Sequence, residues 1–183
     1  MRDKTDDGIT SVNAGRHSHF VRQLVLWILL LSVLVFLDQY TKCLAASSLK
    51  THGPFPLISG ALELRYLENR GAAFGILQNR QWIFIIFACV CIIACAWFSC
   101  RLARQNRHTL SRVCLAFLAA GAAGNLIDRA VHGYVVDFIY ISLIHFPVFN
   151  LADMYVSLST ITLVILVLFV YRDEGAGARQ HGP

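Results

Sequence analysis

The chain has 183 residues, of which 56% are apolar and only 15% charged. That balance excludes an ordinary soluble domain, which carries roughly a quarter charged residues. The net charge of +5 is too modest to call for a nucleic-acid partner.

Residues 1–19 are polar and without periodicity, and an irregular cytoplasmic tail is expected there. A membrane span needs about 20 mostly apolar residues. Four windows qualify: Leu24 to about Leu44, Trp82–Ser99, Val113–Ala130 and Met154–Tyr171. A soluble bundle would show polar faces along these windows, and they show almost none. The first window follows Arg16 and Arg22 and precedes Ala45-Ala46, as in a cleavable signal. Asp38 and Lys42 intervene, however, and its removal would leave three spans of the wrong parity. The window therefore reads as a retained helix. Asp38 and Lys42, four apart, share one face and can pair.

Gly53-Pro54-Phe55-Pro56 breaks the first helix. From Leu57 to Leu67 apolar and charged residues alternate, which predicts a short half-buried strand in a small sheet on the outer membrane surface. Glu68–Gly75 reads as an irregular small-residue segment after that strand. Gly71 there permits close backbone approach, and Asn69 offers both a donor and an acceptor. The second span is apolar filler with Trp82 and Trp97 near its ends, as interfacial anchors.

The third span carries Gly121, Gly124, Asn125, Asp128 and Arg129, a small groove followed by polar groups on one face. Asp128 is expected to pair locally with Arg129 and Asn125, and Gly133 to end the helix. Tyr134–Ile139 reads as extended. Asn150 and Asp153 match a capping box at the start of the fourth span. The chain from Arg172 onward is rich in Gly and Ala, and a second irregular tail is expected there.

Charge placement predicts the topology. Arg101, Arg104, Arg107 and Arg112 crowd the connection between the second and third spans, whereas residues 131–152 contain no Lys or Arg. Positive loops stay cytoplasmic. Both termini are then inside, and residues 45–80 and 131–152 outside, although residues 45–80 do hold Lys50, Arg65, Arg70 and Arg80. Six cysteines show no paired zinc-type spacing and read as small apolar fillers. There is no His-Glu-x-x-His pattern to hold zinc, and no cofactor is expected.

An ionisable group at membrane depth costs roughly 2.5–3.5 kcal/mol, so the cluster from Gly121 to Asp153 reads as a functional site. Asp137 and Asp153 come from different segments at the membrane edge, an arrangement suited to acid–base hydrolysis. Val135, Val136, Phe138 and Ile139 around Asp137 disfavour its charge. Two rival chemistries fit less well. A serine–lysine peptidase would use Lys42, but no serine stands out beside it. A solute carrier would need charges spread through the bilayer depth, and here they gather at one edge.

Five blocks, Asp38-Gln39-Tyr40-Thr41-Lys42, Asn69-Arg70-Gly71-Ala72-Ala73-Phe74, Gly124-Asn125-Leu126-Ile127-Asp128-Arg129, Val135-Val136-Asp137-Phe138 and Phe149-Asn150-Leu151-Ala152-Asp153, resemble the bacterial lipoprotein signal peptidases. The resemblance covers about residues 20–171. It implies a four-span aspartic endopeptidase, all-α apart from a small extracytoplasmic sheet and a small-residue loop or helix. Such an enzyme sits in the bacterial inner membrane and removes signal peptides from prolipoproteins, cutting before a diacylglyceryl-modified cysteine. By the same resemblance Asp137 and Asp153 are the catalytic pair. The resemblance also implies that Asp38, Lys42, Asn69, Asn125, Arg129 and Asn150 support the site or its substrate, and Gly71, Gly121 and Asp128 join them from the reading of their own segments. The implied partners are lipidated prolipoproteins and membrane lipids, with the enzyme a monomer. Ala120, where many members have glycine, and the charged Glu68 and Arg70 flanking Asn69 depart from the family pattern without touching the pair.

Overall fold

A computed structural model describes residues 4–71, 80–105 and 108–171, with side chains from residue 18. Four helices organise the chain: α1 (Lys4–His52), α2 (Gln81–Arg104), α3 (Thr109–His132) and α4 (Leu151–Ile165). A π-helical turn, Leu166–Val170, prolongs α4. All four are long and apolar enough to cross a membrane. The first runs uninterrupted through Ala45-Ala46 to His52. Its backbone is also helical back to Lys4, where an irregular tail was expected; once a long apolar segment has nucleated a helix, extending it into polar residues costs little. The second expected tail, from Arg172 onward, lies outside the described residues.

α3 is the central helix. Half of its apolar window is buried against protein, compared with 11% for α1 and α2. Composition explains the difference. Ala116, Ala119 and Ala120 are wholly buried and Gly121 and Gly124 are also buried, so neighbouring helices approach closely. A Cβ on Gly121 would overlap the Ala152 carbonyl oxygen and Val156 of α4, and one on Gly124 would overlap the Asp38 carboxylate of α1. Outward faces carry Phe36, Phe87, Ile93 and Phe169, the surface a lipid-exposed bundle needs.

A three-stranded antiparallel sheet in the order β1 (Phe55–Ile58), β2 (Leu62–Asn69), β3 (Val135–Ile141) covers the end of the bundle where α1 and α3 finish and α4 begins. Where one strand was expected over Leu57–Leu67, there is a hairpin. Gly60 has φ +72°, and Ala61 N donates to Ile58 O at 3.0 Å, so the chain turns at Ser59-Gly60. A second departure matters more: Glu68 and Asn69 belong to β2 rather than to an irregular segment. Residues 72–79, the remainder of that segment, lie outside the described residues. Phe138, Leu64 and Tyr66 pack on Ala45 and Leu49 of α1, fixing the sheet to the helix.

The opposite end of the bundle is closed separately. Trp27 Nε1 donates to Arg112 O at 3.1 Å, Arg112 Nη1 to Gln23 Oε1 at 2.6 Å, and Ser111 and Tyr171 share a 2.6 Å hydrogen bond. The last turn of α2, with Arg101 and Arg104, lies at that end, away from the sheet. Cys95 is buried in the apolar cluster with Trp27 and Leu115, and Cys114 is buried too, in keeping with their reading as filler, whereas Cys43 and Cys89 are exposed.

Candidate active site

Gly133, with φ +75°, ends α3 as expected and releases the chain directly into β3. Asp128, one turn before that cap, accepts from Val136 N at 3.1 Å and so ties the helix end to the strand carrying Asp137. β2 and β3 pair with Asn69 opposite Val135, which makes Asp137 the diagonal neighbour of Asn69 on the same face. Asn69 Nδ2 reaches across to Asp137 Oδ2 at 2.8 Å. Had the chain left the sheet at Leu67, this contact would not form.

At the start of α4 the capping box is complete. Asp153 N donates to Asn150 Oδ1 at 3.0 Å, and Asn150 N to Asp153 Oδ2 at 3.2 Å. Asp38, on α1, satisfies another free donor of the same helix end, accepting from Ala152 N at 2.9 Å. Capping does not exhaust these residues. Asn150 Nδ2 donates to Asp137 Oδ1 at 2.6 Å, and Asn125 Nδ2 donates to Asp153 Oδ1 at 2.8 Å. Asp137 and Asp153 are therefore held in one polar cradle, each receiving two N–H donors.

They differ in exposure. Asp137 is 1% exposed, whereas Asp153 is half-buried. Burial, and then the negative charge of Asp153, push the Asp137 carboxyl up to about 7; the amides of Asn69 and Asn150 and the charge of Lys42 oppose that rise.

Behind the pair lies a second cluster. Lys42 Nζ pairs with Asp38 Oδ2 at 2.9 Å and Asp128 Oδ2 at 3.0 Å, all three residues buried. The expected Asp38–Lys42 pair is present. The expected local Asp128–Arg129 pair is not: Asp128 turns to Lys42, to Gln39 Nε2 at 2.9 Å and to Val136 N, because it faces α1 while Arg129 projects the other way. Arg129 instead lies 4.7 Å over the Phe84 ring and donates to Asn125 O at 3.3 Å and Gly71 O at 3.4 Å. Gly71 N in turn donates to Asn69 Oδ1 at 3.0 Å.

Every residue singled out from the sequence thus meets at one end of the bundle, with Gly121 contributing through the α3–α4 contact. Gln39 was missed. It is the one polar side chain between Asp38 and Thr41 that reaches α3, and its amide joins Gly124 O to Asp128.

Fold and site together define a multi-pass membrane protein of the aspartic peptidase class. The family model described as Signal peptidase (SPase) II matches residues 30–169. Among its relatives, the lipoprotein signal peptidase of Brevibacillus brevis is 44% identical over 146 residues, covering 79% of this chain and 94% of that protein. That of Clostridioides difficile is 41% identical over 145 residues, covering 79% and 96%. A solved bacterial membrane enzyme superposes with a TM-score of 0.72 at 34% identity, covering 81% of this chain and 90% of its own. The chain belongs to the signal peptidase II family.

Proposed function

We propose that this peptidase cuts lipidated prolipoproteins just before the diacylglyceryl-modified cysteine, with Asp137 and Asp153 as its catalytic pair. The observation that carries the reading is the unequal pair: one carboxyl sealed in the protein, the other open on one side, both in a shared amide cradle. Two carboxylates in one site do not both ionise readily, and environment decides which keeps the proton. Asp137 is the acid. Asp153, at a helix N-terminus whose dipole favours negative charge, is the base.

Asp153 takes a proton from a water molecule, and the resulting hydroxide adds to the scissile carbonyl carbon. Asp137 gives its proton to the carbonyl oxygen, so the tetrahedral intermediate carries two hydroxyls. When the C–N bond breaks, the proton held on Asp153 passes to the leaving amine and Asp137 recovers its own. Both carboxyls end as they began. All steps use side chains of residues 20–171, the unit we assign to catalysis. Cleavage of a lipidated precursor by purified protein, lost in Asp153→Asn, tests the reading. Equal cleavage of an unlipidated precursor, or cleavage by folded Asp153→Asn, would sink it.

The pair works at the extracytoplasmic face of the bacterial inner membrane, with both termini cytoplasmic. Support comes from the sheet end lying opposite the arginine-bearing last turn of α2. With the six native cysteines replaced by alanine, a thiol introduced as Asn106→Cys is expected to resist a membrane-impermeant reagent in intact cells and to react after permeabilisation. Strong labelling in intact cells would invert the topology.

A further inference from the structure

An ammonium has three N–H donors and no acceptor. All three on Lys42 have partners: Asp38 Oδ2 at 2.9 Å, Asp128 Oδ2 at 3.0 Å and Asn125 Oδ1 at 2.9 Å. Only an oxygen can accept the third, so Asn125 has one possible amide orientation. Asn150 Nδ2, also donating to Asn125 Oδ1 at 3.2 Å, imposes the same orientation. The NH2 group of Asn125 must then face the other way, where Asp153 Oδ1 accepts it at 2.8 Å.

We propose that Lys42 is a positioning residue: by holding the oxygen of Asn125, it turns that amide's donors onto Asp153 and assigns Asp153 the part of base. The inference rests on the dyad reading above. Lys42 itself touches neither member of the pair. Its charge is offset by two carboxylates at contact distance, so its main influence travels through the amide.

The other asparagines obey the same rule. Asn69 and Asn150 each have the oxygen occupied by a backbone N–H, from Gly71 and Asp153 respectively, and each presents its NH2 to Asp137. Asn125 is the exception, since its oxygen is held by two side chains, the Lys42 ammonium from another helix at 2.9 Å and the Asn150 amide at 3.2 Å. It is the one amide of the three whose oxygen is anchored by side chains alone, so a substitution can loosen it without altering the backbone.

The test is the pH dependence of kcat for a lipidated precursor. The charged groups around the pair are Asp38 and Lys42 of α1, Asp128 and Arg129 of α3, Asp137 of β3 and Asp153 of α4. In Lys42→Met the Asn125 oxygen keeps only the longer 3.2 Å hydrogen bond from Asn150 Nδ2, so the amide loses its charged anchor and can turn that oxygen toward Asp153. Loss of a preorganised donor lowers kcat about 100-fold, with KM changed less than about threefold. Both limbs of the profile move up by about one pH unit, because carboxylates that lose a donor or a nearby cation hold their protons longer. Lys42→Arg, still a cation with donors only, keeps the wild-type limbs.

Lys42→Met leaves two buried carboxylates without their cation and can fail to fold. Asn125→Ala then carries the test, since it leaves both ion pairs of Lys42 intact and must raise the acidic limb in the same way. Where both variants fold, Lys42→Met placed in the Asn125→Ala background should cost less than about threefold more in kcat. An unmoved profile in Asn125→Ala, or multiplicative losses in the double variant, would overturn the inference. Failure of the dyad reading itself is distinguishable, because folded Asp137→Asn protein would then retain activity.

Discussion

Asp137→Asn is expected to leave folded protein that cuts lipidated precursor at least about 10⁴-fold more slowly, while Asp128→Asn lowers kcat of the folded fraction no more than about tenfold. Both aspartates are almost fully buried and close in sequence, so burial cannot separate them. Their partners can. Asp128 is saturated by Lys42, Gln39 and the Val136 amide, none of them a member of the pair. Asp137 receives only two neutral amides, and its charge is opposed by Asp153. Breaking a buried ion pair by removing one member costs about 3–5 kcal/mol. Asp128→Asn should therefore show its loss in melting temperature and yield, since Lys42 retains Asp38. Rates must be normalised to folded enzyme, by size exclusion and thermal unfolding in detergent. Near-normal cleavage by folded Asp137→Asn, or a loss of about 10⁴-fold in folded Asp128→Asn, would reverse the two roles.

Legibility in the sequence followed the range of the forces involved. The spans were plain because hydrophobic length is a local property, and each of α1 to α4 forms on one of the four predicted windows. Alternation over Leu57–Leu67 correctly signalled strand geometry, yet period-two patterning continues on both sides of a turn. Only the Ser59-Gly60 dipeptide, with Gly60 in the left-handed region, marks the reversal. Glu68 and Asn69 looked irregular because the run after them is rich in Gly and Ala. What makes them strand is pairing with Val136 and Val135 from a distant part of the chain. The same limit explains Asp128. Sequence neighbours suggested Arg129, but adjacent residues on a helix point in different directions, and the real partner, Lys42, lies on another helix. The five blocks and the small-residue face of the third span located the candidate site's members; their connections needed the fold.

Raising the pH from about 4 to about 8 should destabilise the wild-type protein through Asp137, and Asp137→Asn should flatten that dependence. The carboxyl is pushed from its ordinary 3.8 up to about 7, first by burial and then by Asp153. The folded state thus binds more protons than the unfolded state across that window. Stability from this group is complete below 3.8 and is lost as pH rises through about 7. At about 1.4 kcal/mol per pH unit the effect is on the order of a few kcal/mol. An asparagine at 137 places its own NH2 against a donor, from either Asn69 or Asn150, at a cost of about 1–3 kcal/mol. That cost does not vary with pH, so the slope of melting temperature against pH is the quantity to compare, rather than its value at one pH. Activity is expected to decline by the same titration. An acid that must enter the cycle protonated loses about tenfold in rate per unit above its pKa, so kcat should fall above about pH 7. The protein would then run its chemistry at the edge of the range in which burying that carboxyl is tolerable, an arrangement common where a buried acid serves catalysis. Melting curves from about pH 4 to 8 for wild type and Asp137→Asn, with kcat measured over the same range and to about pH 9, check both halves. An equal slope in the two proteins, or activity that keeps rising to about pH 9, would remove Asp137 from the part of proton donor.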